Sequence, residues 1–77
     1  MSAAQRASLD AQISKLEAEV AVAQSDWAEA NRMSHYYASI GNIDAQISYR
    51  AARQSAQDTR QSLESRISQL KAERDRL

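Results

Sequence analysis

The chain has 77 residues, ten basic and ten acidic side chains, one histidine, one glycine, and no cysteine or proline. That length supports one domain with a thin core, burying only about 60–65% of the surface that the unfolded chain exposes. Balanced charge gives no overall field toward nucleic acid or membrane, and without cysteine there is neither a disulfide framework nor a thiolate zinc site. Of the usual supports for a small scaffold, oligomerisation or docking on a partner remains. Charge is unevenly spread: residues 1–38 carry three positive and five negative side chains, and residues 39–77 carry seven and five. No apolar run approaches the ~20 residues that span a bilayer. Met1-Ser2-Ala3-Ala4-Gln5-Arg6 is not followed by the apolar stretch of a secretory signal, so the expectation is a soluble cytoplasmic protein.

The first helix is expected over about 3–39, with Ser2 or Ser8 as its N-cap and, if Ser8 caps it, Asp10 in the first turn. Leu9, Ile13, Leu16, Val20, Ala23, Trp27 and Ala30 follow one another at alternating spacings of 4 and 3, the heptad seam of a coiled coil. Glu17, Glu19, Asp26 and Glu29 lie off it. Ser34 and Tyr37 continue it.

The bend is expected at about 40–42. Gly41 takes the left-handed position after a helix at little cost, and the flanking Ile40 and Ile43 supply the hydrophobic contact that often accompanies it. Asn42 is a suitable N-cap for a second helix over about 43–76, with Asp44 in its first turn.

That second helix begins with Ile43, Ile47 and Ala51 and ends with Leu63, Ile67, Leu70 and Leu77. Between them, residues 51–59 contain no large apolar side chain. Stepping by fours from Ile47 to Leu63 drifts ~40° around the helix each time. The apolar stripe is therefore expected to change face at mid-helix, through a local adjustment of supercoil or through two faces serving two contacts.

One antiparallel register satisfies both ends. Ile13 then meets Leu70, Leu16 meets Ile67, Val20 meets Leu63, and the largest side chain, Trp27, falls over Ala56. The fold class is all-α: two long helices in an antiparallel, coiled-coil-like hairpin. Each helix would leave a second face wet, so dimerisation into a four-helix bundle is expected, with Ile40, Ile43 and Ile47 as candidates for the buried second face.

The segment from Leu9 to Ser14 recurs, with Ile for Leu, from Ile43 to Ser48, 34 residues later. That offset is the tetratricopeptide period. Tyr36-Tyr37 through Ile40-Gly41-Asn42 and Tyr49-Arg50-Ala51-Ala52 resembles one such repeat, over less than half of the chain. Ala45 and Tyr49 fall one residue early, the terminal proline is missing, and no second Trp/Gly/Tyr set exists. An ordinary helix-start sequence used twice is the simpler reading.

Enzyme signatures are absent: no glycine-rich phosphate loop, no nucleophile elbow, no histidine–carboxylate cluster. His35 is the only imidazole, and serine beside histidine on one helix is not an oriented triad. The expectation is a non-enzyme with no cofactor, metal or small-molecule substrate. Arg50, Arg53, Arg60, Lys71 and Arg74 fall within ~120° on a helical wheel, a possible nucleic-acid face, although the arc overlaps Leu63 and Ile67. Small dimeric hairpins of the Rop type bind RNA through a helical face, and the architecture here is similar without any matching residue motif. A solvated, salt-bridged face is the plainer account.

The aromatic and methionine side chains point elsewhere. Trp27, Met33, His35, Tyr36, Tyr37 and Tyr49 gather toward the bend and include the residue types enriched at protein interfaces. Consecutive Tyr36 and Tyr37 point ~100° apart, so both cannot face inward. The expected partner-binding set is Met33, His35, Tyr36, Tyr37, Ile40, Ile43, Ile47 and Tyr49. The expected partners are a second copy of the chain and another protein. The function expected is that of an adaptor, assembly factor, co-chaperone or phage-type inhibitor, with a structural spacer as a further alternative.

Overall fold

The computed structural model describes residues 3–77. It contains helix α1 (Ala3–Ser39) and helix α2 (Ile43–Arg76), joined by a three-residue bend. Long runs of Ala, Gln, Arg, Glu and Leu without proline favour uninterrupted helix. Ser2 lies outside the described residues. Ser8 lies inside α1 and so does not cap it; its hydroxyl accepts a hydrogen bond from Gln12 Nε2 at 3.4 Å.

The bend forms because two residues each do one job. Gly41 adopts φ 76°, and among the described residues no other has a positive φ. Its N–H donates to the Ala38 carbonyl at 3.2 Å, and the Asn42 N–H donates to the Tyr37 carbonyl at 3.0 Å. That nested pair of bonds closes α1 and satisfies carbonyls that would otherwise end unpaired. The Asn42 side chain then accepts from the Ala45 N–H at 3.1 Å, capping α2, while Asp44 stands in the first turn and Arg74 and Arg76 in the last. Both charge placements complement the helix dipole. The isoleucines expected to cover the bend stay largely in solvent, Ile40 and Ile43 being 58% and 64% exposed.

On α1 the seam continues through the whole helix: Leu9, Ile13, Leu16, Val20, Ala23, Trp27, Ala30, Ser34 and Tyr37 are all buried or half-buried. Apart from Asn31 and Met33, every other described residue of α1 is exposed.

On α2 the apolar residues change face as expected, Ile43 and Ile47 lying outside the stripe that holds Leu63, Ile67 and Leu70, but the buried stripe itself runs on unbroken toward the bend. The residues withdrawn from solvent are Gln46, Tyr49, Arg53, Ala56, Arg60, Leu63, Ile67, Leu70 and Arg74, flanked by Ala45 and Gln57. Their spacings alternate 3 and 4 without a break. Ile43 and Ile47, 64% and 57% exposed, are not in the seam, and neither is Ala51. The stripe escapes notice because three of its members are arginines. An arginine lays its methylene stem along an apolar surface and keeps its head at the edge.

Cross-helix contacts fix the antiparallel register. Arg74 Nη1 donates to Asp10 Oδ1 at 3.1 Å, and Arg53 Nη1 donates to Asn31 Oδ1 at 2.6 Å. Toward the free ends of the hairpin, Ile13, Ile67 and Leu70 form the core, with Leu9, Leu16 and Val20 packed against them. In the same register Arg60, Arg53 and Tyr49 fall opposite Ala23, Ala30 and Ser34. This accounts for those three small residues being only 4%, 6% and 3% exposed: each lies under a long side chain, as dense packing demands. The bond to Asp10 raises the Arg74 pKa above the ordinary guanidinium value, opposed by desolvation and helped by Asp75. A raised value means its contribution is complete below the unfolded-state pKa and is lost only as pH climbs past the folded one. The Arg74 charge is therefore indifferent to pH near neutrality.

Candidate interaction surface at the hairpin tip

Antiparallel pairing divides the outside of the rod into two flanks. One carries a shallow groove of about 350 Å³ lined by Ala23, Asp26, Ala52, Ser55, Ala56 and Thr59. A second groove further from the bend runs between Gln12, Lys15, Leu16, Glu19, Arg66 and Leu70. The opposite flank holds Glu17, Val20, Glu64, Ile67, Ser68 and Lys71 around one hollow, and Ile47, Arg50, Ala51, Arg53 and Gln54 around another. Residues seven apart on a coiled-coil helix share a face. Met33 and Ile40 therefore follow Asp26, and Val22, Glu29 and Tyr36 follow Lys15, onto the first, grooved flank. Ile43 lies on the second flank with Arg50.

The expected partner-binding residues thus split into two patches. The grooved flank carries Met33, Tyr36 and Ile40 with the tyrosine stack. Tyr37 and Tyr49 lie parallel, with centroids 5.5 Å apart at 7°, and Tyr36 meets the edge of that stack at 5.1 Å and 78°. Tyr37 and Tyr49 are half-buried on the seam, so they brace the tip, while Tyr36 is 53% exposed. The second flank carries Ile43, Ile47 and Arg50. The expectation of one face shared by Ile40, Ile43 and Ile47 is corrected accordingly: Ile40 closes α1 on one side, and Ile43 opens α2 on the other.

His35 is exposed beside this cluster. The nearby serine hydroxyls serve the backbone, Ser34 Oγ donating to the Asn31 carbonyl at 2.9 Å and Ser39 Oγ to the Tyr36 carbonyl at 2.6 Å. Among the described residues no group of three or more His, Cys, Asp or Glu is placed to hold a metal.

The five candidate phosphate-binding cations do not form one free face. Arg53 and Arg74 are engaged by Asn31 and Asp10. Arg60 is half-buried on the seam, with Glu64 Oε1 at 4.0 Å and its Nε shielded without a hydrogen-bond partner. Arg50 and Lys71 are exposed, but 21 residues of helix set them about 31 Å apart.

Sequence reasoning missed Val22, which is 61% exposed, and the groove of small residues beside it. The available signal was the same sevenfold spacing, applied to the residues left outside the seam. No helix among the described residues is long and apolar enough to cross a membrane. A scan against protein-family models finds no matching family, and searches of curated proteins and of solved structures return no match.

Proposed function

We propose that this chain is a small, non-enzymatic protein-interaction module of the cytoplasm that works as a homodimer, presenting the hairpin tip to another protein. The observation that carries this reading is the concentration of exposed apolar side chains there. Tyr36, Ile40, Ile43 and Ile47 are all between 53% and 64% exposed, within twelve residues and around a bend braced by stacked rings. Leaving four large apolar side chains in water at one end costs solubility and returns nothing to the hairpin's own core. Such patches mark interaction sites. A Rop-like phosphate-binding role for α2 is the lesser reading, because three of its five cations are seam members.

The test compares wild type with a double variant, Ile43→Ser and Ile47→Ser. Proteins captured by immobilised wild type would be identified by mass spectrometry, and the purified partner's affinity measured against both forms. Loss of binding with unchanged circular dichroism supports the tip as the working surface; equal affinity refutes it. Binding to RNA that weakens steeply with salt would instead favour phosphate recognition.

A further inference from the structure

We propose that the grooved flank is the homodimer interface. Two copies would pack there with their tips at the same end, leaving Ile43, Ile47 and Arg50 of each copy free for the other partner. This rests on the interaction-module reading above and assigns its two surfaces to two different occupants.

Shape is the first argument. On this flank α1 presents a ridge of Val22, Met33, Tyr36 and Ile40, and Val22, Tyr36 and Ile40 are each more than half exposed. Beside it α2 presents only small residues, and Ala52, Ser55, Ala56 and Thr59 line a groove. A two-fold axis along the rod lays the ridge of one copy over the groove of the other. In the observed register Met33 arrives at the height of Ala52, and Val22 near that of Thr59. Large side chains then meet small ones, as they do within the hairpin itself. A two-fold axis across the rod would instead set α1 against α1 with the tips opposed, laying the apolar ridge over the polar free-end half of the partner's α1 around Ser8 and Gln12.

Charge makes the same choice. The α1 strip of this flank carries Lys15, Glu19, Asp26 and Glu29, a net of −2, and the α2 strip carries Arg66, Glu73 and Arg76, a net of +1. Tips together sets −2 against +1 twice, whereas tips opposed sets −2 against −2 and +1 against +1. Size also suffices. The rod measures 59 by 14 Å in its two larger dimensions, so one flank offers about 800 Å², which is what each partner of an ordinary stable interface contributes. The second flank is less suited, since it gathers Glu17, Glu64 and Lys71 around one hollow and Arg50 and Arg53 around another, with exposed apolar cover only at Ile43 and Ile47. Because the interface is two-fold, the two Ile43/Ile47/Arg50 patches face outward in opposite directions, and the dimer is bivalent.

The test is the mass in solution of wild type and two double variants, by sedimentation equilibrium at micromolar concentration. Wild type and Ile43→Ser/Ile47→Ser are expected at twice the 8.6 kDa chain mass. Val22→Lys/Met33→Lys is expected as a monomer, with dimer affinity reduced at least ~100-fold and helicity retained. A monomeric wild type overturns the inference while leaving capture of another protein to be judged on its own result. Dissociation by the Ile43/Ile47 pair but not by Val22/Met33 overturns the choice of flank. The chain has no cysteine, so Ser39→Cys carries a single spin label near the tip. A label separation of ~20–30 Å fits tips together, two hairpins side by side being about two interhelical spacings of 8–10 Å across. A separation near the 59 Å length of the rod overturns the orientation.

Discussion

Leu9-Asp10-Ala11-Gln12-Ile13-Ser14 and Ile43-Asp44-Ala45-Gln46-Ile47-Ser48 differ at one residue, and both are helical. Their fates diverge. In the first, Ile13 is 3% exposed at the centre of the core, and Asp10 reaches across to Arg74. In the second, Ile47 is 57% exposed, Ala45 and Gln46 turn inward instead, and Asp44 serves the start of α2. The difference is a rotation of about one residue, ~100°, around the helix axis. What sets it is the surroundings: the first copy is phased by Leu16 and Val20, which follow it, the second by the position of the bend. Local sequence specified helix in both places. Which side faces inward was decided by the partner helix.

Breaking the comparison should produce unequal damage. Ile13→Ala removes core volume and is expected to cost ~2–5 kcal/mol, whereas Ile47→Ala should stay within ~0.5 kcal/mol; urea denaturation followed by circular dichroism reads both. If the two cost the same, the second copy also packs inward. A smaller contrast probes the register. Ala30→Leu crowds the stem of Arg53 and should cost ~1–3 kcal/mol, while Ala51→Leu, on an exposed position two residues before Arg53, should be nearly neutral. The aspartates give the smallest effect. Asp44→Asn gives up a first-turn charge worth ~0.3–1 kcal/mol at low salt, and added salt should shrink that difference. Asp10→Asn, on an exposed pair, should move the unfolding midpoint less than Asp44→Asn does.

The bend and the α1 seam were legible because single residues carry them. Gly41 and Asn42 have no competitor in the chain, and the α1 seam is written in apolar side chains up to Ala30. The α2 seam was hidden because Arg53, Arg60, Arg74 and Gln46 occupy inward positions, and charge reads as outside. The overlap of the basic arc with Leu63 and Ile67 was the clue: cations sharing a face with buried leucine and isoleucine share their seam. The tip was legible as an aromatic cluster but not as two patches. Placing Ile40 and Ile43 on separate flanks requires the rotation between the helices, and the sequence around Gly41 does not contain it.

The alternation of long and small residues across the seam has a consequence for alignment. Two smooth leucine zippers can slide by a heptad and lose only their ends. Here a slide of seven residues that brings Arg53 opposite Tyr37 also carries Leu63 from Val20 onto Trp27, setting large side chains against large ones. A slide the other way sends Arg60 onto Leu16. Arg60 and Arg53 work as teeth that fit notches cut by Ala23 and Ala30, so the hairpin behaves as a keyed joint, and the key that aligns it is made of residues that at first look most like solvent-facing surface.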